Sequence, residues 1–159
     1  MLNQKKIHYC LAACLAFSIQ ATRIPRYKDF PAEPFSGKPA APIITKDLEE
    51  FRAAITEGVS AGPNFAGHYS LIRLSCGASC ILFAIVNAKT GSIFVSNFSI
   101  AFGSNLQQEK LREDEPLQFK SNSALLVVVG SRNEKGEGVY FYKWSGERLI
   151  LIHSAMEQP

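Results

Sequence analysis

Apolar positions change period along this chain. Leu48, Phe51, Ile55 and Val59 recur every three or four residues, the spacing of one helix face. Asp47 with Glu50 three residues on has the pattern of a capping box, and Ser60-Ala61-Gly62-Pro63 supplies a stop. One helix is therefore expected at about 47–59. Beyond Pro63 the period falls to two. Phe65 to Leu74 alternates, and Cys80 to Val86 is a continuous apolar run, the pattern of a strand covered on both faces. Asn87-Ala88-Lys89-Thr90-Gly91 reads as a turn into a partner strand, Ser92–Ser96. Four further strand segments follow: Leu117–Lys120, Ala124–Gly130, Gly138–Trp144 and Arg148–Ser154. Their connectors are Ser121-Asn122-Ser123, a polar Arg132–Glu137 loop and a Ser145-Gly146 corner. Asn97 to Pro116 is irregular, and its Gln107–Glu115 portion is a charged excursion. The expected fold is mainly β, α+β in class: an antiparallel meander sheet or sandwich with one packed helix.

The N-terminal part follows neither period. Residues 22–46 hold five of the eight prolines and read as an extended arm, laid on the surface through Phe30 and Phe35. Residues 1–21 combine Lys5-Lys6, an apolar run from Ile7 to Ile19 and a small residue, Ala21, the layout of a secretory leader cleaved before Thr22. The run is well short of the roughly 20 residues of a transmembrane helix, so no membrane span is expected. Leu11-Ala12-Ala13-Cys14 offers the alternative of a lipobox with a lipidated Cys14. That reading is disfavoured because the apolar run continues past Cys14. The resulting organisation is a leader over 1–21, an arm over 22–46 and a single β-rich domain over 47–159.

Composition adds two constraints. With 47% hydrophobic, 11% aromatic and 19% charged residues, the 159-residue chain has the makings of one folded domain. The net charge is +3, and two of the 17 basic residues, Lys5 and Lys6, belong to the leader. Without a basic block, no nucleic-acid partner is expected. Export also changes the meaning of the cysteines. Cys76 and Cys80 lie in Ser75-Cys76-Gly77-Ala78-Ser79-Cys80, and in an oxidising compartment so close a pair is expected to form a disulfide at a strand reversal. A redox pair is the alternative. Zinc would want four ligands, and beside these thiols the mature chain offers only His68 and His153, so no metal or other cofactor is expected.

Pro63-Asn64-Phe65-Ala66-Gly67-His68-Tyr69, the Cys76–Cys80 loop and the ending Tyr140-Phe141-Tyr142-Lys143-Trp144-Ser145-Gly146 together resemble a family of short secreted bacterial proteins. Its members share an Asn-Phe-Ala-Gly-His-Tyr segment followed by a Cys-Gly-x-x-Cys loop. The resemblance covers roughly residues 47–153. It implies export and one undivided fold, and brings no activity or catalytic residue with it. Where that family carries a Trp shortly before the first Cys, this chain has Leu74 and Ser75, which weakens an aromatic platform there.

Candidate chemistry centres on His68, between Gly67 and Tyr69 on the expected strand. In a functional reading it is a general base or ligand donor, with Asn64 and a loop carboxylate such as Glu134 as neighbours. In the plainer reading it is a half-buried histidine holding a turn together. Arg132 and Glu134 belong to a mixed-charge loop that could bind a ligand or partner, or simply form a solvated hairpin tip. Tyr140, Tyr142 and Trp144 alternate onto one strand face, where core packing is the commoner use of such a row. No Gly-x-Ser-x-Gly elbow occurs. Two function classes follow. The first is an exported, periplasmic or secreted, non-catalytic binding, inhibitor or immunity-type module, whose partner is an envelope protein or small ligand. The second is a small hydrolase-like enzyme using His68.

Overall fold

The computed structural model describes residues 23–101 and 115–156. The expected leader, Cys14 and most of the charged excursion lie outside the described residues. Eight strands among them form one antiparallel sheet: β1 (Tyr69–Ser75), β2 (Cys80–Asn87), β3 (Ile93–Val95), β4 (Ile100–Ala101), β5 (Leu117–Phe119), β6 (Leu125–Arg132), β7 (Lys135–Trp144) and β8 (Leu149–Met156). The sheet order is β1-β2-β4-β6-β7-β8, with β3 beside β2 and β5 beside β6. The mainly β architecture with one helix is therefore observed, as an open sheet. The two-residue β4 was not legible in the sequence. It joins the first strands to the last, pairing Ile100 and Ala101 with Ile81 and Cys80 on one side and with Arg132 and Ser131 on the other.

The helix begins differently from the sequence pattern. Lys46–Phe51 is a 3-10 stretch that runs into the α-helix α1, Arg52–Ser60. The Asp47/Glu50 capping box does not form; the residue at the N-cap is Thr45, and no side chain caps the first turn. Register comes from packing instead. Leu48, Ile55 and Val59 lie on Ile72 and Leu74 of β1 and Ala84 and Val86 of β2. The alternate residues of the same strands, Leu71, Phe83 and Ile85, point into a second and larger cluster. This double coverage is why β2 reads as an unbroken apolar run.

The sheet is strongly curled. Tyr69 on β1 and Trp144 on β7 stand four strands apart in the order, about 19 Å in a flat sheet at the usual strand spacing. Their rings are 5.4 Å apart, edge to face. β1–β3 and β5–β8 thus face each other across an aromatic layer that includes Phe65, Tyr69, Phe83, Phe98, Tyr140, Tyr142 and Trp144. Gly130 permits the crossing at β4: its φ is +130°, and a Cβ there would stand 2.7 Å from the Ala101 carbonyl oxygen.

The proline-rich arm is stitched to the sheet rather than loosely laid on it. Ala124 N–H donates to the Phe30 carbonyl, Ala32 N–H to that of Asn122, Phe35 N–H to that of Gly67 and Ile43 N–H to that of Gly91 (2.8, 2.9, 3.2 and 2.8 Å). The disulfide forms as expected, joining Cys76 and Cys80 at the β1–β2 reversal with a Cα separation of 5.3 Å.

Candidate functional site at two ends of an aromatic layer

The Asn-Phe-Ala-Gly-His-Tyr segment is a tight loop. His68 therefore sits in the turn before β1 and not on a strand, because Ala66 and Gly67 adopt φ values of +45° and +82° and reverse the chain. Most of its groups are committed to architecture. The Asn64 side chain imitates a neighbouring strand: its Oδ1 accepts from Leu71 N–H (2.7 Å) and its Nδ2 donates to the Leu71 carbonyl (3.1 Å). Phe65 is fully buried, and Gly67 N–H donates to the Ser121 carbonyl at 2.6 Å. Tyr69 is buried, with its hydroxyl donating to the Gly146 carbonyl at 3.4 Å.

His68 itself is half-buried and lies against the Tyr69 ring, 4.2 Å between centroids. Burial, reinforced by the positive charge of Lys89, lowers its pKa below the ordinary 6.5, which favours the neutral imidazole. The neighbours expected for it are not there. Asn64 is occupied by Leu71, and Glu134 is at the tip of the β6–β7 hairpin, whereas His68 is beside Tyr69 at the Trp144 end of β7. Nine residue steps along β7 separate those ends, roughly 30 Å of strand. Among the described residues no carboxylate pairs with His68, and no group of three His, Cys, Asp or Glu side chains could hold a metal ion.

The other end of the layer holds Arg132. The six-residue loop expected over Arg132–Glu137 is instead a two-residue turn, with Asn133 and Glu134 at φ +49° and +60°, the signature of a tight hairpin. Arg132 accordingly closes β6, Lys135 opens β7, and Glu134 is left exposed at the tip. Asn133 braces this tip against the chain entering β4: its Oδ1 accepts from Ser99 N–H (3.0 Å), and its N–H donates to the Ser99 carbonyl (2.9 Å).

The Arg132 guanidinium turns inward and lies among three rings, at 4.8 Å from Phe98, 5.0 Å from Tyr140 and 5.5 Å from Tyr142. Phe98 stacks on Tyr142 at 5.4 Å. The Tyr140 hydroxyl is used locally, donating to the Gly136 carbonyl at 2.5 Å. Among the described residues, three other buried polar atoms have no hydrogen-bond partner: Arg132 Nε, Tyr142 Oη and Trp144 Nε1. Burial pushes the Tyr142 phenol pKa up, while nearby Arg132 pulls it down. Among the described residues no acidic side chain pairs with Arg132.

The structure thus brings Arg132 together with two of the alternating aromatics, Tyr140 and Tyr142, and separates it from Asn64, His68 and Tyr69. A sequence signal for this existed. Leu126, Val128, Gly130 and Arg132 keep the period of two, which carries Arg132 onto the inward face of β6 once the strand is allowed to reach the turn. Two surface depressions lie elsewhere. One, of about 340 Å³, is lined by Tyr27, Leu125, Val127, Val139 and Phe141; the other, of about 710 Å³, surrounds the Arg73–Glu115 ion pair. Neither includes His68 or Arg132.

No family model, no curated protein and no solved structure matches the chain. No helix among the described residues is long and apolar enough to cross a membrane.

Proposed function

We propose that the chain is an exported protein of the bacterial cell envelope that acts as a non-catalytic binding module. The charged-then-apolar leader and the Cys76–Cys80 disulfide support export. One observation carries the binding reading. The Arg132 end of the aromatic layer holds two buried polar atoms without partners, Arg132 Nε and the Tyr142 hydroxyl, whereas among the described residues no acidic side chain is paired with His68. Buried polar groups are ordinarily paired, and departures cluster where something else binds. A sheet whose β1–β2 turn is clamped by a disulfide is a suitable frame for such a site.

The test is a pull-down from envelope extract with the mature protein, run beside Arg132→Gln and His68→Ala. Capture that survives His68→Ala and is lost in Arg132→Gln supports the reading. Turnover of an ester or amide substrate that disappears in His68→Ala would replace it with the hydrolase reading. Intact-mass measurement of the protein from a bacterial host tests export separately: a chain beginning near Thr22 is expected, and a diacylglyceryl-modified Cys14 would make it a lipoprotein.

A further inference from the structure

The three unpartnered atoms share a chemical character. Arginine Nε–H and indole Nε1–H are donors only, and a phenol hydroxyl is a donor with spare acceptor capacity. All three belong to side chains facing the same aromatic layer, and two of those side chains are nearly sealed: Tyr142 is 3% and Trp144 5% exposed. What they lack is therefore an acceptor. An apolar ligand would leave every donor unsatisfied, and a cation would be repelled by Arg132.

We propose that the Arg132 end of the aromatic layer is an oxyanion site, taking the carboxylate or phosphate group of a small ligand. This rests on the binding-module reading and specifies its ligand class. The Phe98, Tyr140 and Tyr142 rings lie within cation–π distance of the guanidinium. The planar guanidinium is a fork of N–H donors, the geometry that matches a carboxylate or phosphate. Tyr142 supplies a further donor beside it. Trp144 follows two residues along the same face, about 7 Å on, so its ring reports on a ligand held at Tyr142. Arg132 is only half-buried, and the hydrogen bond between Ser99 and Asn133 braces the hairpin turn beside it.

Trp144 is the only tryptophan in the chain, so its emission and its indole N–H resonance report on this layer alone. The folded full chain is titrated with sodium benzoate and with inorganic phosphate, each against sodium chloride at equal ionic strength. A saturable change in Trp144 emission, with a downfield shift of the indole N–H, is expected for at least one anion. Which anion responds separates a carboxylate ligand from a phosphate ligand. Arg132→Gln is expected to weaken binding by about tenfold or more, the scale of a lost charge-assisted hydrogen bond, with an unchanged circular dichroism spectrum. No response above chloride, or an equal response in folded Arg132→Gln, overturns the proposal. If Arg132→Gln does not fold, Tyr142→Phe decides: a fewfold loss of affinity supports the site, and unchanged affinity overturns it. Competition distinguishes this inference from the reading beneath it. Capture of an envelope component that neither anion displaces leaves the module standing and removes the oxyanion site; anion binding without any capture does the reverse.

Discussion

The two ends of the aromatic layer use their polar groups in opposite ways. At the His68 corner, Asn64, Gly67 and Tyr69 each place a polar group in a hydrogen bond that builds the turn or ties it to the rest of the chain. At the Arg132 end, two buried donors, Arg132 Nε and the Tyr142 hydroxyl, are left over. The corner is the more distinctive stretch of sequence, yet its distinctiveness is architectural: an Asn that stands in for a strand, and a Gly that allows a left-handed turn beneath the arm. The Arg132 end has no motif, and it is there that the fold leaves chemistry unfinished. The memorable motif and the place where buried donors go unpartnered are different parts of this protein.

That contrast can be broken by substitution. The largest effect is expected for Gly67→Ala, which places a Cβ on a residue with φ +82° and against the Glu33 carbonyl of the arm. The left-handed backbone cost and the overlap together are expected to remove about 3 kcal/mol, read from the midpoint of urea unfolding. A change of under about 0.5 kcal/mol, the range of an ordinary surface substitution, would show that the arm is not held where it is described.

Asn64→Ala comes next. It deletes both bonds to Leu71, for an expected loss of about 1–2 kcal/mol, with no effect on ligand capture. Loss of capture without loss of stability would make Asn64 a binding residue after all.

Tyr142→Phe should differ in sign. Its hydroxyl is buried without a partner, so removing it is expected to be neutral or to stabilise by up to about 1 kcal/mol, while weakening the oxyanion response. A stability loss like that of Asn64→Ala would mean that both ends are built for architecture, and the contrast would be gone.

The smallest effect concerns pH. The pKa of His68 is lowered in the folded protein, so just below pH 6.5 the unfolded chain binds more protons there than the native one. The His68 contribution to stability is therefore present above the unfolded value and is lost as pH falls through the window beneath 6.5. Comparing urea midpoints at pH 7.5 and 5.5 for wild type and His68→Gln checks this; a slope in that window that is unchanged by the substitution would contradict it.

Much of the fold was legible in the sequence. The run from Cys80 to Val86, the turn at Asn87–Gly91 and the alternation of Tyr140, Tyr142 and Trp144 each follow from side-chain direction, which repeats every two residues whatever the sheet does later. The helix was legible in its apolar face but not in its start, because Leu48, Ile55 and Val59 are held by Ile72, Leu74, Ala84 and Val86 and not by a cap. Arg132 was misplaced for a related reason. Its polar neighbours Asn133, Glu134 and Lys135 read as one loop, and only the pairing of β6 with β7 shortens that loop to a two-residue turn.

What the sequence by itself determined is local: strand faces, one helix face, the disulfide between Cys76 and Cys80, and the proline-rich arm. These depend on near neighbours, through the period of two or 3.6, the small residues between the cysteines and the restricted φ of proline. The tertiary structure decided the curl that sets Tyr69 against Trp144, the two-residue strand that joins the halves of the sheet, and the placing of the Arg132 guanidinium among three rings. Each of these joins residues tens of positions apart, as Ile100 is paired with Arg132. Two residues of strand carry too little local pattern to be recognised; they are held in place by the strands on either side.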